Sequence, residues 1–168
     1  MTAVLVAGVG NVFHGDDGFG VAVAKLLADT ALPPGVTARD YGIRALHLAY
    51  ALLEPLDLLI VADAVSRGDA PGTLSLIEPD AFDDVGVGDP HGMSLPIVFA
   101  TVRAMGGTPP RVLIVGCEPA ELGEDMGLSG PVARAIAPAV EMIQDVLARE
   151  LPTITEGGIP HEEHPETT

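Results

Sequence analysis

The sequence predicts a three-layer α/β/α single domain with a mostly parallel twisted sheet. Short apolar β-like runs alternate with helical patterns along the chain, the signature of an α/β domain. The runs at 3–9, 56–64 and 111–117 read as buried strands. The chain has 168 residues, 48% of them hydrophobic. That is one domain's worth, and a domain of this size buries roughly 70% of its unfolded-chain surface.

The elements follow in order. Ala3–Val9 is an apolar strand. Gly18–Ala31 is a helix with Val21, Val23, Ala24, Leu27 and Ala28 on a broad apolar face, and Lys25 and Asp29 elsewhere. Val36–Tyr41 alternates like a half-buried strand. Ala45–Leu53 is helical and stops before Pro55. Leu56–Ala64 is a second buried strand, and Gly72–Ile77 a third or an edge strand. Leu95–Met105 is a helix and Arg111–Cys117 a strand. Pro131–Leu151 is a long final helix, with a kink expected at Pro138. No repeat and no linker divides the chain. Composition changes only from Glu156 to Thr168, where four glutamates, two histidines and two prolines stand without a Lys or Arg. The expected division is therefore a domain over 1–154 and an acidic, disordered tail over 155–168.

Charge narrows the function. Eight basic against 24 acidic residues give a formal charge of -16. Such a surface repels phosphate backbones and anionic lipid, so nucleic acid and membrane are excluded as partners. The single cysteine, Cys117, excludes an internal disulfide and a multi-cysteine metal site. The first residues have no basic flank of a targeting signal, and Glu54, Pro55 and Asp57 break the longest apolar stretch. A cytoplasmic protein is expected, as a monomer or weak homo-oligomer.

In open α/β sheets, sites lie beyond the carboxyl ends of the strands, where strand order reverses. The residues after Val9, Ala62 and Val115 therefore matter most. The first turn reads Gly8-Val9-Gly10-Asn11, then Asp16-Asp17-Gly18-Phe19-Gly20. It is not a dinucleotide loop, because Phe13 stands where the third glycine belongs, nor a phosphate loop, because Lys25 is the only lysine. Both aspartates suit a helix N-terminus, where the dipole favours negative charge. Asp16 reads as a cap and Asp17 as a functional group. Asp63 ends a very apolar run, where a carboxylate must be solvated, paired or metal-bound. In a 2-1-3 strand order Asp17 and Asp63 approach each other, and two close carboxylates repel unless a proton or cation lies between them. His91 lies in the Asp89–Ser94 loop, free to project or simply exposed. Asp17, Asp63 and His91 together would hold a divalent ion with open positions, zinc or nickel in preference to magnesium.

The opening run just quoted resembles the signature of the [NiFe]-hydrogenase maturation endopeptidases. Val61-Ala62-Asp63-Ala64-Val65 with Gly72-Thr73, the Pro90-His91 loop, Val115–Pro119 and Leu128–Val132 match that pattern in order, over roughly residues 3–150. The resemblance implies a three-layer α/β fold. It implies an endopeptidase that removes a C-terminal extension from a hydrogenase large-subunit precursor once nickel is inserted. The family's three metal-binding residues fall on Asp17, Asp63 and His91. They complete the coordination of nickel carried by the precursor, and zinc or cadmium could substitute in vitro. The ion would polarise the scissile carbonyl or activate a water, with Asp17 or Asp16 as general base. Two departures stand out: Asp17 replaces a glutamate found in some members, and Asp40-Tyr41-Gly42-Ile43-Arg44 replaces an Asp-Gly-Gly-Thr pattern that lines the substrate region.

Two further readings compete: a metal-checking chaperone that binds the precursor without cutting it, and a flavodoxin-like small-molecule binder, which the missing phosphate loop disfavours. Cys117 reads as a small buried hydrophobe before it reads as a nucleophile. His161-Glu162-Glu163-His164 has i, i+3 histidines between prolines and so is not a zinc-protease helix. His14 reads as solvated or auxiliary, His47 as a helix-face residue without a role, and Arg44 as the partner of one of many surface acids before it reads as an orienter of a substrate carboxylate.

Overall fold

The computed structural model describes residues 2–79, 93–120, 123 and 126–156. Five strands form one sheet: β1 (Val4–Val9), β2 (Val36–Gly42), β3 (Leu58–Ala64), β4 (Leu74–Ile77) and β5 (Arg111–Cys117). Their order is β2-β1-β3-β5-β4. The first three pairings are parallel and β4 joins β5 antiparallel, so the run at 72–77 is the edge strand of a mostly parallel sheet. Four helices cover it: α1 (Phe19–Ala28), α2 (Ala45–Ala51), α3 (Leu95–Ala104) and α4 (Gly130–Glu156).

Strand alternation divides the core into two layers. Val4 and Val6 of β1, Leu58 and Ile60 of β3, and Leu113 and Val115 of β5 face α1 and α4. Leu5 and Ala7, Leu59 and Val61, and Val112 and Ile114 face α2 and α3. Central strands buried on both faces have no polar side to show, which is why their sequence reads as continuous apolar runs.

Element boundaries moved where local chemistry intervened. The helix expected from Gly18 is preceded by a 3-10 turn, Gly15–Gly18, and ends at Ala28, not Ala31. The final helix runs through Pro138 and Pro152 to Glu156. It therefore takes in Thr155 and Glu156, the first two residues assigned to the tail; residues 157–168 lie outside the described residues.

Close approach explains two glycines. A Cβ on Gly20 would lie 2.0 Å from the Ala62 carbonyl oxygen and 2.4 Å from that of Val9. Helix α1 therefore seats directly on the ends of β1 and β3. Gly10 has φ 132°, and a Cβ there would lie 1.9 Å from the Asp17 carbonyl oxygen. The glycines of the first turn press Asp17 against the sheet; they do not make room for a phosphate.

Candidate functional site at the carboxyl edge of the sheet

The order β2-β1-β3 reverses the direction of chain winding between β1 and β3, which makes their carboxyl ends a switch point. Asp17 follows β1 in the 3-10 turn, and that turn packs on β3. It is 7% exposed, and its Oδ2 accepts the Asn11 backbone N–H at 2.7 Å. Asp63 is the penultimate residue of β3, paired in register with Gly116. Burial raises the Asp63 carboxyl well above the usual carboxylate range, and the charge of Asp17 pushes it the same way. The turn that carries Asp17 therefore lies against the strand that carries Asp63, and its charge is felt there.

The third predicted residue, His91, lies outside the described residues. Met93, two positions later in the chain, is buried in the layer of α2 and α3. Asp63 continues the β3 series Leu59 and Val61, which faces that same layer. Among the described residues no group of three His, Cys, Asp or Glu gathers as a metal site. Two nearby carboxylates, one of them raised by burial and further by the charge of the other, are nevertheless a donor set that a divalent cation would stabilise.

Asp16 does something the sequence did not suggest. It makes no side-chain cap on its own turn. At 1% exposure, its Oδ1 accepts the Ser129 backbone N–H at 2.7 Å. Its Oδ2 accepts the Ala120 N–H and the Ser129 hydroxyl, each at 2.8 Å. Asp16 therefore ties the first turn to the segments after β5 and before α4. Three donated hydrogen bonds make it a positioning group for Asp17 and a poor choice of general base.

Glu118 is a second buried acid that sequence reasoning passed over. It is 9% exposed, and its Oε2 accepts the Arg67 N–H at 2.7 Å while its Oε1 accepts that of Gly68 at 3.3 Å. It pins the loop after β3 to the end of β5. The only signal available was an acid directly after an apolar strand.

The atypical 40–44 segment forms a bulge. Gly8 pairs with Asp40 but Val9 pairs with Gly42, which leaves Tyr41 as the extra residue. Gly42 has φ 53° and its carbonyl accepts the Gly10 N–H at 3.0 Å. Arg44 donates to the Asp40 and Tyr41 carbonyls, so it braces its own turn and does not bind a surface acid. One oxygen of Asp40, Oδ1, is buried and accepts no hydrogen bond in the structure. That orphan makes Asp40 a further candidate, found only in three dimensions.

The remaining candidates resolve as follows. Cys117 is buried, its Sγ lies 3.8 Å from the Glu118 carbonyl oxygen, and burial pushes its thiol up to about 11. That is the chemistry of a packed thiol, not a nucleophile. His14 is half-buried beside Asn11 and Asp17 in the backbone hydrogen bonds of the turn, and His47 is exposed on α2. The tail histidines lie outside the described residues. No helix among the described residues is long and apolar enough to cross a membrane.

Known proteins are similar to this chain in sequence and in fold. The family model for hydrogenase maturation proteases (HycI) matches residues 21–146. The hydrogenase expression/formation protein HupD of Rhodobacter capsulatus is 40% identical over 152 residues, spanning 88% of this chain and 70% of that protein. The hydrogenase 2 maturation protease of Escherichia coli strain K12 is 32% identical over 144 residues, spanning 83% of this chain and 87% of that protein. The structure of the hydrogenase maturating endopeptidase HybD from E. coli superposes with a TM-score of 0.77 at 31% identity, covering 89% of this chain and 94% of that one. The maturation-endopeptidase resemblance seen in the first turn thus extends over nearly the whole fold, and the chain belongs to the hydrogenase maturation protease family of hydrolases.

Proposed function

We propose that this protein is the endopeptidase that removes the C-terminal extension of a [NiFe]-hydrogenase large-subunit precursor after nickel insertion. Asp17, Asp63 and His91 meet the nickel carried by that precursor. The observation that carries the reading is the carboxylate pair at the switch point. Asp17 is held by the Asn11 N–H, and Asp63 is raised by burial and by Asp17 itself. A divalent ion brought by a partner would gain two carboxylate donors here and relieve their mutual repulsion. Nickel is then part of the substrate. Bound beside the scissile bond, it would polarise the carbonyl or lower the pKa of a water.

The chain's own residues supply the rest. Asp16 fixes the turn through Ala120 and Ser129, and Gly20 lets α1 seat on β3, so Asp17 and Asp63 keep their mutual geometry. Asp17, with one oxygen held by Asn11, is placed as general base for the attacking water, and burial and the Asp17 charge both oppose ionisation of Asp63.

The test is mass spectrometry of a nickel-loaded large-subunit precursor, with and without this protein, repeated with His91→Ala. Loss of one C-terminal peptide that depends on nickel and on His91 is the expected result. Stable binding without a mass change would replace the endopeptidase by a metal-checking chaperone. Neither binding nor cleavage would reject the precursor as the partner.

A further inference from the structure

The two helical layers differ on their outer faces. The α1/α4 layer has an ordinary polar exterior: Arg134, Glu141, Asp145 and Arg149 face solvent along α4, and Leu26 is the one large exposed hydrophobe on these two helices. The α2/α3 layer does not. Ile43, Leu46, Tyr50 and Leu53 are 36–55% exposed, Ile97 of α3 is 63% exposed, and Met105 follows at its end. These are six of the ten large exposed hydrophobic side chains among the described residues.

Helical geometry shows that this is a second face and not a frayed core. Leu48 and Ala49 are the buried positions of α2, with Leu52 buried just beyond its end. At 100° per residue, Leu46 and Tyr50 project within about 40° of each other and away from Leu48, and the exposed Ile43 and Leu53 flank the helix at its two ends. A helix apolar all round is normally buried all round. Helix α2 packs beside α3, which extends the same exterior to Ile97.

Charge identifies the occupant. The chain carries 24 acidic residues, yet 41–53 and 93–110 contain none. Their only charged side chains are Arg44 and Arg103, with His47 beside them. A second copy docking through the same face would bring two acid-free, arginine-bearing faces together, which charge complementarity disfavours. A different protein, apolar at the centre and rimmed by carboxylates, suits the face. The face also runs directly into the candidate site. Ile43 adjoins Gly42, whose carbonyl holds the Gly10 N–H of the turn that leads to Asp17.

We infer that the outer face of α2 and α3 is the docking surface for the folded precursor, whose apolar, acid-rimmed patch seats there while its C-terminal segment reaches Asp17 and Asp63. This rests on the endopeptidase reading. It divides the work: the carboxylate pair meets the metal and the helical face holds the body of the partner.

The test uses the full chain with the nickel-loaded large-subunit precursor, measuring binding by calorimetry and peptide release by mass spectrometry. The variants are Leu46→Glu/Tyr50→Glu, Leu46→Lys/Tyr50→Lys, and Leu26→Glu on α1 as a control. The Glu pair should weaken binding and raise KM about tenfold or more with kcat preserved. The Lys pair should cost clearly less, because the partner's rim is acidic, and the control should change nothing. Unchanged KM in the Glu pair while Asp17→Asn abolishes cleavage would overturn the docking face and leave the endopeptidase standing. Equal losses in the Glu and Lys pairs would overturn the acidic rim. A dimer in sedimentation that the Glu pair dissociates would assign the face to a second copy. A marked drop in Tm would assign it to the chain's own packing. A wild-type protein that neither binds nor cuts the precursor would overturn both readings together.

Discussion

The two ends of the sheet treat acidic side chains in opposite ways. At the amino edge Glu78 and Glu150 share one cation, while the exposed Asp57 accepts the Ala3 backbone N–H at 2.8 Å. Arg111, at the start of β5, donates to Glu78 at 2.7 Å and to Glu150 at 2.5 Å. The side chains of Arg111 and Glu78 are 44% and 52% exposed, and the guanidinium hydrogen bond holds Glu78 below the usual carboxylate range. At the carboxyl edge, Asp16, Asp17 and Glu118 are buried, and the hydrogen bonds described for them come from backbone N–H groups and one hydroxyl. Backbone donors fix the position of each carboxylate. The amino edge is thus held by exposed charge pairs, and the carboxyl edge by buried hydrogen bonds between segments far apart in the chain.

The largest expected effect lies at the carboxyl edge. Asp17→Asn removes charge while keeping an acceptor for Asn11, and should lower the rate of peptide release more than about 100-fold, since even the groups behind a metal ligand are worth 10–100-fold. Single-turnover mass spectrometry checks it, and Tm should stay near wild type. A variant that retained most of its rate would end the comparison as a functional one.

Asp16→Ala comes next and acts on stability. It leaves the Ala120 and Ser129 N–H groups without their acceptor in a buried place. A loss of about 3 kcal/mol is expected, equivalent to a fall in Tm of about 10 °C for a domain of this size. Urea denaturation measures it; a change below about 1 kcal/mol would mean that water takes over the acceptors.

Asp63→Asn has a smaller effect of opposite sign. The folded-state pKa of Asp63 is raised, so the native protein keeps a proton that the unfolded chain releases. Metal-free stability therefore falls as pH rises from the ordinary carboxylate range towards the native value, and levels off beyond it. Asp63→Asn removes that slope and should be more stable than wild type at neutral pH while losing activity. Thermal scans at pH 4 and pH 7 decide it: a gain confined to the higher pH is expected, and equal Tm values at pH 7 would refute it.

The smallest effect belongs to the amino edge. Arg111→Ala breaks both exposed ion pairs and should cost under about 1 kcal/mol, fading further in high salt. A larger loss would erase the contrast between the edges.

Legibility followed the range of the interaction. Asp17 and Asp63 stood out in sequence because each interrupts an apolar strand or its turn, and strand order alone brings them together. Asp16, one residue from Asp17, was read as a local cap because its partners lie 104 and 113 residues away. Glu118 was passed over for the same reason, with backbone partners 50 and 51 residues back. Tyr41 is an ordinary strand residue in sequence; only pairing with β1 makes it the extra residue of a bulge and leaves an Asp40 oxygen orphaned. The outward face of α2 was likewise hidden, because Ala45–Ala51 looks the same whether a core covers one side of it or two.

By itself the sequence determined the alternation of elements, the buried strands and the identity of the acids at the switch point, because apolar periodicity and turn chemistry act within a few residues. Only the tertiary structure decided that Asp16 is a long-range tether to Ala120 and Ser129 and not a local cap. It alone also decided that one helical layer ends in solvent with its apolar face uncovered. Both depend on hydrogen bonds and packing between segments far apart in the chain, which no local pattern encodes.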